Sequence, residues 1–254
     1  MNTTLHHESP LRIAITGGTS GLGLALVEAL HTLGAAVAFV ARDARAVADV
    51  ASRFPGSHGI VGDVARKDDT HRIALQVNAA LGGLDVLVNN ASSLGPVPLR
   101  PLADTDCEDL DAAFATNLLG PFRLTKALLG AFTASTRSGR AAVVVNITSD
   151  AAVTPYAGWG AYGASKAALS HLSRIWDEEL RPLGVRMIAI DPGDMDTPLH
   201  ALAVPDADPA TLKRPRDAAL EVIAAIEAAA PGTTHGSTAR QTTAQEAAHG
   251  EVTV

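Results

Sequence analysis

Short aliphatic runs alternate with longer stretches of helical periodicity from residue 11 to about residue 230. In the first long stretch, Leu22, Leu26, Leu30 and Leu33 recur at the spacing that places them on one side of a helix. The same unit recurs along the chain. Strands are predicted at residues 11–16, 35–41, 57–62, 84–89, 141–148 and 185–190, and helices at residues 21–33, 44–54, 68–81, about 106–132, 160–183 and about 215–230.

The predicted strands are rich in valine and isoleucine and lack a regular alternation with polar residues. Such strands are typical of a sheet that is covered on both faces, and helical crossovers favour parallel pairing. The pattern predicts a single α/β domain with a doubly wound, Rossmann-type and mainly parallel sheet flanked by helices. Ligands of such sheets bind beyond the carboxyl ends of the strands, so candidate chemistry is expected at that edge.

The two ends of the chain differ from this central domain, residues 11–230. Residues 1–10 are polar and lack the order of charged and then apolar residues that a secretory signal has. Residues 231–254 are rich in Thr, Gly, Ala and Gln, and a flexible tail is predicted there, with a short edge strand at 250–254 as the alternative. No stretch of about 20 residues is apolar without interruption, so no membrane partner is expected.

Composition and charge exclude several classes of protein. Apolar residues make up 47% of the chain, which is enough for a sizeable core and excludes a mainly disordered protein. The net charge of -7 argues against a nucleic-acid partner, whose phosphates require clustered positive charge. The histidines show no zinc-type spacing with Cys or carboxylates, so no metal is expected. A single cysteine, Cys107, fits a reducing, cytoplasmic location.

A glycine-rich turn joins the first predicted strand to the first predicted helix. Residues 16–23 read TGGTSGLG, and the spacing of Gly17, Gly21 and Gly23 departs from the common G-x-G-x-x-G fingerprint. Glycines let the backbone approach a pyrophosphate closely, and the helix N-terminus offers free N–H groups. The turn alone is compatible with a tight turn and no ligand, but its place in a series of strand–helix units favours dinucleotide binding.

The end of the second predicted strand bears on the choice of cofactor. An NAD enzyme usually has Asp or Glu there to bind the ribose hydroxyls, whereas this strand ends in Val40-Ala41-Arg42. A guanidinium can pair with a 2′-phosphate, so NADP(H) is favoured over NAD(H). The adjacent Asp43, and Ser20 where a second cation could stand in the glycine loop, weigh against that choice.

Tyr162 and Lys166 are four residues apart on a predicted helix and therefore share a face. A nearby ammonium stabilises a phenolate, which lowers the tyrosine pKa towards neutrality. Ser149 ends the fifth predicted strand, where its hydroxyl could hold a substrate oxygen. A Y-x-x-x-K pair alone is usually a surface pair, but after a strand-end serine and a dinucleotide loop it indicates catalysis.

Together these motifs resemble those of the short-chain dehydrogenase/reductase family over about residues 11–200. Residues 16–23 match its TGxxxGxG loop, and residues 89–91 match its NNAG motif, with Ser92 replacing the glycine. Asn117 falls where the family has an asparagine that kinks a helix and positions a proton-relay water. The resemblance implies the catalytic residues Asn117, Ser149, Tyr162 and Lys166. It implies the cofactor-binding residues Gly17, Thr19, Ser20, Gly21, Leu22, Gly23, Arg42, Asp63, Val64, Asn90, Ala91, Tyr162, Lys166, Pro192, Gly193 and Thr197.

The resemblance implies an NAD(P)(H)-dependent oxidoreductase that transfers hydride between the nicotinamide and a small-molecule carbonyl or secondary alcohol. Tyr162 would be the general acid/base, Ser149 would orient the carbonyl, and Lys166 would lower the tyrosine pKa and bind the nicotinamide ribose. Two alternatives stay open. One is a non-catalytic NADP(H)-binding regulatory protein, and the other is an epimerase or dehydratase that uses the same Tyr-Lys pair.

The chain also departs from the family pattern. Family members commonly close the sheet with a seventh strand that helps to assemble tetramers, and no convincing counterpart follows Ala230. A homodimer paired through the long helices near residues 106 and 160 is therefore expected, with a homotetramer as the alternative. Residues 195–212 mix Pro and Asp with leucines and alanines, which predicts an apolar lid over the substrate. Tyr156 and Trp159 either line the pocket or pack a loop.

Overall fold

Six parallel strands form one sheet in the order β3-β2-β1-β4-β5-β6 in the computed structural model, which describes residues 9–230. The strands are β1 (Arg12–Thr16), β2 (Ala36–Ala41), β3 (His58–Val61), β4 (Val86–Asn89), β5 (Val143–Ile147) and β6 (Arg186–Ile190). The prediction of a doubly wound, parallel α/β sheet is confirmed. The predicted tail and its alternative strand at 250–254 lie outside the described residues.

Eight α-helices cross over between the strands or flank the sheet within the described part of the chain. They are α1 (Gly21–Thr32), α2 (Ala44–Arg53), α3 (Lys67–Leu81), α4 (Cys107–Phe114), α5 (Gly120–Arg137), α6 (Gly160–Leu180), α7 (Pro198–Ala203) and α8 (Pro215–Ala229). The helix predicted at 106–132 is two helices joined by a π-helical turn, Ala115–Leu119, and it runs on to Arg137. The short helix α7 was not predicted.

The hydrophobic core lies in two layers, one on each face of the sheet. In β5, Val143 and Val145 face the layer that contains α1 and α8, while Val144 faces the layer that contains α3 and α5. All three valines are fully buried. Because both faces of the sheet are covered, residues that point to either face of a central strand can be apolar. This explains the unbroken valine runs in the sequence.

A buried carboxylate ties the sheet together at the amino ends of its central strands. Asp85 pairs with Arg12 at 2.7 Å and with Arg140 at 2.6 Å, and its side chain is 1% exposed. Burial acts to raise the pKa of Asp85, but hydrogen bonds from Arg140 and Arg12 outweigh it and hold that pKa well below the usual range. The carboxylate thereby joins the start of β1 to the segments before β4 and β5.

No helix of residues 9–230 has both the length and the apolar character needed to cross a bilayer.

We expect Asp85→Asn to lower the free energy of unfolding by about 3 kcal/mol at pH 7, because two partly buried guanidinium groups lose their counter-charge. Since the folded-state pKa of Asp85 is depressed, its stabilisation is present above about pH 4 and is lost as the pH falls further. Urea unfolding at several pH values measures both effects. The matched control Asp217→Asn removes an exposed partner of Arg214 and should cost much less. An equal cost of the two substitutions would contradict this account.

Candidate active site

The carboxyl ends of β1 and β4 meet at the point where the chain turns to opposite halves of the sheet. The Thr16 hydroxyl oxygen accepts hydrogen bonds from the backbone N–H groups of Asn90 and Ala91, each at 3.0 Å. The Asn90 side-chain amide donates in return to the Thr16 carbonyl at 2.9 Å. These bonds hold the glycine loop after β1 against the polar segment after β4.

Two glycines of the loop leave no room for a side chain. Gly17 has a φ of +71°, and a Cβ on Gly23 would lie 2.1 Å from the Gly17 carbonyl oxygen. Ser20 is the N-cap of α1, and its side chain makes no hydrogen bond to the helix. The backbone N–H groups at the start of α1 therefore stay available to a ligand. Glycines that let the backbone come close to a ligand at a helix N-terminus fit a pyrophosphate.

A cavity of about 700 Å³ extends from this loop along the carboxyl edge of the sheet. Its wall contains every predicted site residue except Gly23 and Asn117, both of which lie behind it. Gly23 lies under the loop, next to Gly17. Asn117 is fully buried, behind Ser92 and Ser93. The structure thus brings together residues that are far apart in the chain.

Ser149 leaves β5 and caps a short 3₁₀ turn, Asp150–Ala152. Its hydroxyl donates to Asp150 at 3.0 Å and accepts from the Ala151 N–H at 3.2 Å. The other Asp150 oxygen accepts from the Tyr156 hydroxyl at 2.6 Å, and this bond holds the pKa of Asp150 below its usual range. Tyr156 and Trp159 both line the cavity, which decides between the two interpretations of these residues.

Tyr162 and Lys166 lie on the buried face of α6, at the floor of the cavity. The Lys166 ammonium is 5.5 Å from the centroid of the Tyr162 ring and donates to the Ile147 carbonyl at 2.8 Å. The expected lowering of the Tyr162 pKa by Lys166 is not what the structure gives: burial raises this pKa, and hydrogen bonding to Ser149 and then Ser92, rather than the ammonium, acts to lower it. Burial also lowers the pKa of Lys166 to about 8, so the ammonium remains mostly protonated at neutral pH.

The side-chain amide of Asn117 joins the loop after β4 to α6. Its nitrogen donates to the Ser93 carbonyl and the Ser165 hydroxyl, each at 2.8 Å. Its oxygen accepts from the Ser93 N–H at 2.8 Å and lies 3.3 Å from the Ser92 hydroxyl. Both donors and both acceptor positions of the amide are therefore used. The π-helical turn around Asn117 is the kink that the resemblance implied.

The end of β2 presents a cation to the same cavity. Arg42 is exposed, lines the cavity and has no ion pair among residues 9–230. An oxygen of the neighbouring Asp43 carboxylate accepts from the N–H groups of Arg45 and Ala46 and caps α2. One oxygen of the Asp43 carboxylate is thus engaged by its own helix, and Asp43 also lines the cavity.

The segment after β6 covers the cavity as predicted. Met195, Leu199 and Ala203 line it, the last two from α7. Thr197 caps α7, and its methyl group would lie 3.1 Å from a Cβ on Gly21, so the base of this lid contacts the glycine loop.

Several wall residues were not predicted from the sequence. Asp191 directly follows β6 and acts electrostatically on both Tyr162 and Lys166. Because ligands of such sheets bind beyond the carboxyl ends of the strands, the position of Asp191 after β6 could have identified it from the sequence. Ser92 and His200 are also on the wall; they lie in the NNAG-like motif and in the predicted lid, but neither was named as a site residue. Within the described range, no three His, Cys, Asp or Glu side chains come together as a metal site would require.

The fold and this wall define a dinucleotide-binding protein, and comparison with known proteins gives its family. The family profile described as short chain dehydrogenase matches residues 12–208. A short chain dehydrogenase of Pseudocercospora fijiensis is 34% identical over 194 residues, 74% of this chain and 60% of that protein. The chain belongs to the short-chain dehydrogenase family of oxidoreductases, whose members bind nicotinamide cofactors.

Two solved structures of the family resemble this chain. One is 3-ketoacyl-(acyl-carrier-protein) reductase from Brucella melitensis complexed with NADH, with a TM-score of 0.79, 25% identity and coverage of 85% of this chain and 90% of that one. The other is an alcohol dehydrogenase from Thermococcus sibiricus complexed with 5-hydroxy-NADP, with a TM-score of 0.75, 26% identity and coverage of 85% and 91%. The relatives therefore include complexes with either type of cofactor.

We expect Gly23→Ala to weaken binding of NADPH and NADH by at least about tenfold, because the new methyl group would displace the Gly17 carbonyl. Cofactor fluorescence titration measures the dissociation constants. Gly130→Ala is the matched control, since Gly130 is also a helical glycine but has open space around it. It should leave cofactor binding unchanged and slightly stabilise α5. Undiminished binding in Gly23→Ala would show that the loop does not hold the cofactor.

Proposed function

We propose that this protein is an NADP(H)-preferring carbonyl reductase or alcohol dehydrogenase for a small or medium organic substrate. One observation carries the proposal: Ser149, Tyr162 and Lys166 lie on the wall of the same cavity as the glycine loop. The related 3-ketoacyl reductase and alcohol dehydrogenase support the reaction class. Because the wall is continuous, the proposed proton donor, Tyr162, lies in the same cavity as the proposed cofactor site.

The residues present fit a dinucleotide along the whole length of the cavity. Its phosphates would lie on the glycine loop at the N-terminus of α1, next to Thr197. Asp63 and Val64 would contact the adenine, and Tyr162 and Lys166 the nicotinamide ribose. The remaining contacts would come from Asn90, Ala91, Pro192 and Gly193. The nicotinamide, when bound, exchanges a hydride with the substrate carbon.

Proton transfer falls to Tyr162 in this proposal. Burial keeps the phenol protonated at neutral pH, the form that can donate to a carbonyl oxygen during reduction. In alcohol oxidation the phenolate accepts the proton instead. The Ser149 hydroxyl orients the substrate oxygen, because it projects from the end of β5 beside the phenol.

Lys166 and Asn117 support that proton transfer. The buried Lys166 ammonium, 5.5 Å from the centroid of the phenol ring, is proposed to favour the phenolate when the substrate proton is transferred. We propose that Asn117 acts as a positioning residue, because its fully used amide holds the loop after β4 and α6 at a set distance. A relay water at this turn would then bind to backbone groups rather than to the amide.

Tyr162→Phe should lower kcat by at least about 100-fold with NADPH and a panel of ketones, since the proton donor is removed. Consumption of NADPH, followed by its absorbance, measures the rate. Cofactor affinity and the circular dichroism spectrum should remain close to those of the wild type, because the ring still fills its buried site. Turnover close to that of the wild type would refute Tyr162 as the acid.

The preference for NADP(H) follows from the charges at the end of β2. Arg42 reaches the cavity without a protein counter-ion in residues 9–230, while Asp43 caps α2. A guanidinium without an ion pair favours a 2′-phosphate, and one oxygen of the adjacent Asp43 carboxylate is engaged by the N-terminus of α2.

Arg42→Ala should weaken NADPH binding by about tenfold or more and change NADH binding by less than about twofold. Isothermal titration with each cofactor gives both constants. Arg45→Ala is the control, because Arg45 is a neighbouring exposed arginine that does not line the cavity. An equal loss of affinity for both cofactors would argue against the proposed preference.

Assembly and location are the last parts of the proposal. We propose a homodimer that pairs through the long helices α5 and α6. Partly exposed apolar residues on these helices support it: Ile175 is 44% exposed, and Phe122 stacks on Trp176 at the surface. We also propose a cytoplasmic location, which the lone and exposed Cys107 supports.

A further inference from the structure

The lid between β6 and α8 begins and ends at one point, the lid neck, which is formed by residues 194–196 and Lys213. Met195 and Lys213 form a parallel β-bridge there. The Lys213 N–H donates to the Asp194 carbonyl at 2.9 Å, and the Asp196 N–H donates to the Lys213 carbonyl at 3.0 Å. The backbone of Lys213 thereby fixes the end of the lid beside its start.

The side chain of Lys213 reaches past the lid neck to the turn that follows β6. Its ammonium donates to the Pro192 carbonyl at 3.0 Å and to the Glu221 carboxylate at 2.7 Å. The ammonium would also lie 3.7 Å from a Cβ on Gly193. Because Glu221 belongs to α8, which packs on the sheet, the ammonium joins the turn to the central layers of the fold.

The backbone of the Pro192-Gly193 turn restrains it only weakly. Proline has no N–H to donate, and Gly193 has a φ of +77°, in a region where glycine has many other conformations available to it. The Gly193 N–H donates within the same segment, to the Asp191 carboxylate at 2.9 Å. β6 is an edge strand of the sheet in residues 9–230, so the bond from Lys213 supplies support that a neighbouring strand does not.

This turn forms part of the cavity wall at its catalytic end. Both of its residues line the cavity, while Lys213 does not. Asp191, directly before the turn, acts electrostatically on Tyr162 and Lys166. Lys213 therefore stands behind the wall and acts on a bound cofactor through the turn rather than by contact. Its side chain is 33% exposed, so we expect a moderate effect from its hydrogen bond to the turn.

We infer that Lys213 is a positioning residue of the cofactor site, whose ammonium holds the Pro192-Gly193 turn in the conformation that receives the cofactor, while Glu221 orients the ammonium from α8. The inference rests on the proposed function, in which this turn contacts the nicotinamide half of the dinucleotide. A turn that is held before the cofactor arrives costs less free energy to order on binding. Cofactor affinity should therefore depend on Lys213.

We expect Lys213→Met to weaken NADPH binding about fivefold, because the cofactor must then order the turn itself. Adenosine 2′,5′-bisphosphate lacks the nicotinamide half, so its affinity should change by less than about twofold. Isothermal titration measures both dissociation constants. An unchanged constant for NADPH would overturn the inference. An equal loss for the two ligands would also overturn it, because the effect would then not be local to the turn.

Three further variants separate the bond to Pro192 from the other features of Lys213. Lys213→Arg keeps a cationic donor and should recover most of the affinity for NADPH. Glu221→Gln removes the ion pair but leaves the bond to Pro192, so it should cost less than about twofold. Arg214→Met is the matched control, since Arg214 is adjacent and exposed but pairs with Asp217. A loss in any of these three variants as large as that in Lys213→Met would contradict the inference.

Hydrogen exchange of the protein without cofactor gives a readout that needs no ligand. The amides of residues 191–197 should exchange at least about threefold faster in Lys213→Met than in the wild type, while those of β1 and α1 keep their rates. Unchanged exchange at residues 191–197 would overturn the inference. If the wild-type protein binds neither NADPH nor NADH, the proposed function fails, whereas the exchange rates still decide whether Lys213 holds the turn.

Kinetics separate the positioning of the cofactor from the chemical step. With a ketone that the wild type reduces, Lys213→Met should raise the KM for NADPH about fivefold and change kcat by less than about twofold. The reason is that Tyr162 and Lys166 lie on α6 and keep their places when the turn loosens. A loss confined to kcat would contradict the inference, because the variant would then affect the reacting groups and not cofactor binding.

Discussion

The rest of the candidate site depends on the hydrogen bonds that join the carboxyl ends of β1 and β4. At this point the chain turns to opposite halves of the sheet, so the two strand ends would otherwise diverge and leave an unsupported crevice. The Thr16 hydroxyl and the Asn90 amide close that gap with bonds of about 3 Å. These bonds join the glycine loop to the segment that carries Ser92, and thus the candidate cofactor site to the candidate catalytic site.

Burial sets the electrostatics of the reacting groups. It raises the pKa of Tyr162 and lowers that of Lys166, so each group is pushed towards its neutral form. The serine hydroxyls at positions 149 and 92 act in the opposite direction on the phenol.

Much of this arrangement could be predicted from local patterns. The apolar periods predicted all six strands, which the structure places close to the expected residues. The helix predicted at 106–132 fails at Asn117, where the amide bonds to Ser93 and Ser165 instead of facing solvent. The short α7 was missed because six residues carry too little periodicity.

The sequence by itself determined the order of the elements, the glycine spacing of the loop after β1 and the candidate Tyr162-Lys166 pair, since these depend on spacing along one strand or helix. Only the tertiary structure decided that the Asn117 amide has no free position, that Asp150 holds both Ser149 and Tyr156, and that Asp191 acts on Lys166. The pKa shifts depend on how deeply packing buries each group, and so do the hydrogen bonds that join different strand ends. That depth is a property of the assembled layers and not of any one segment.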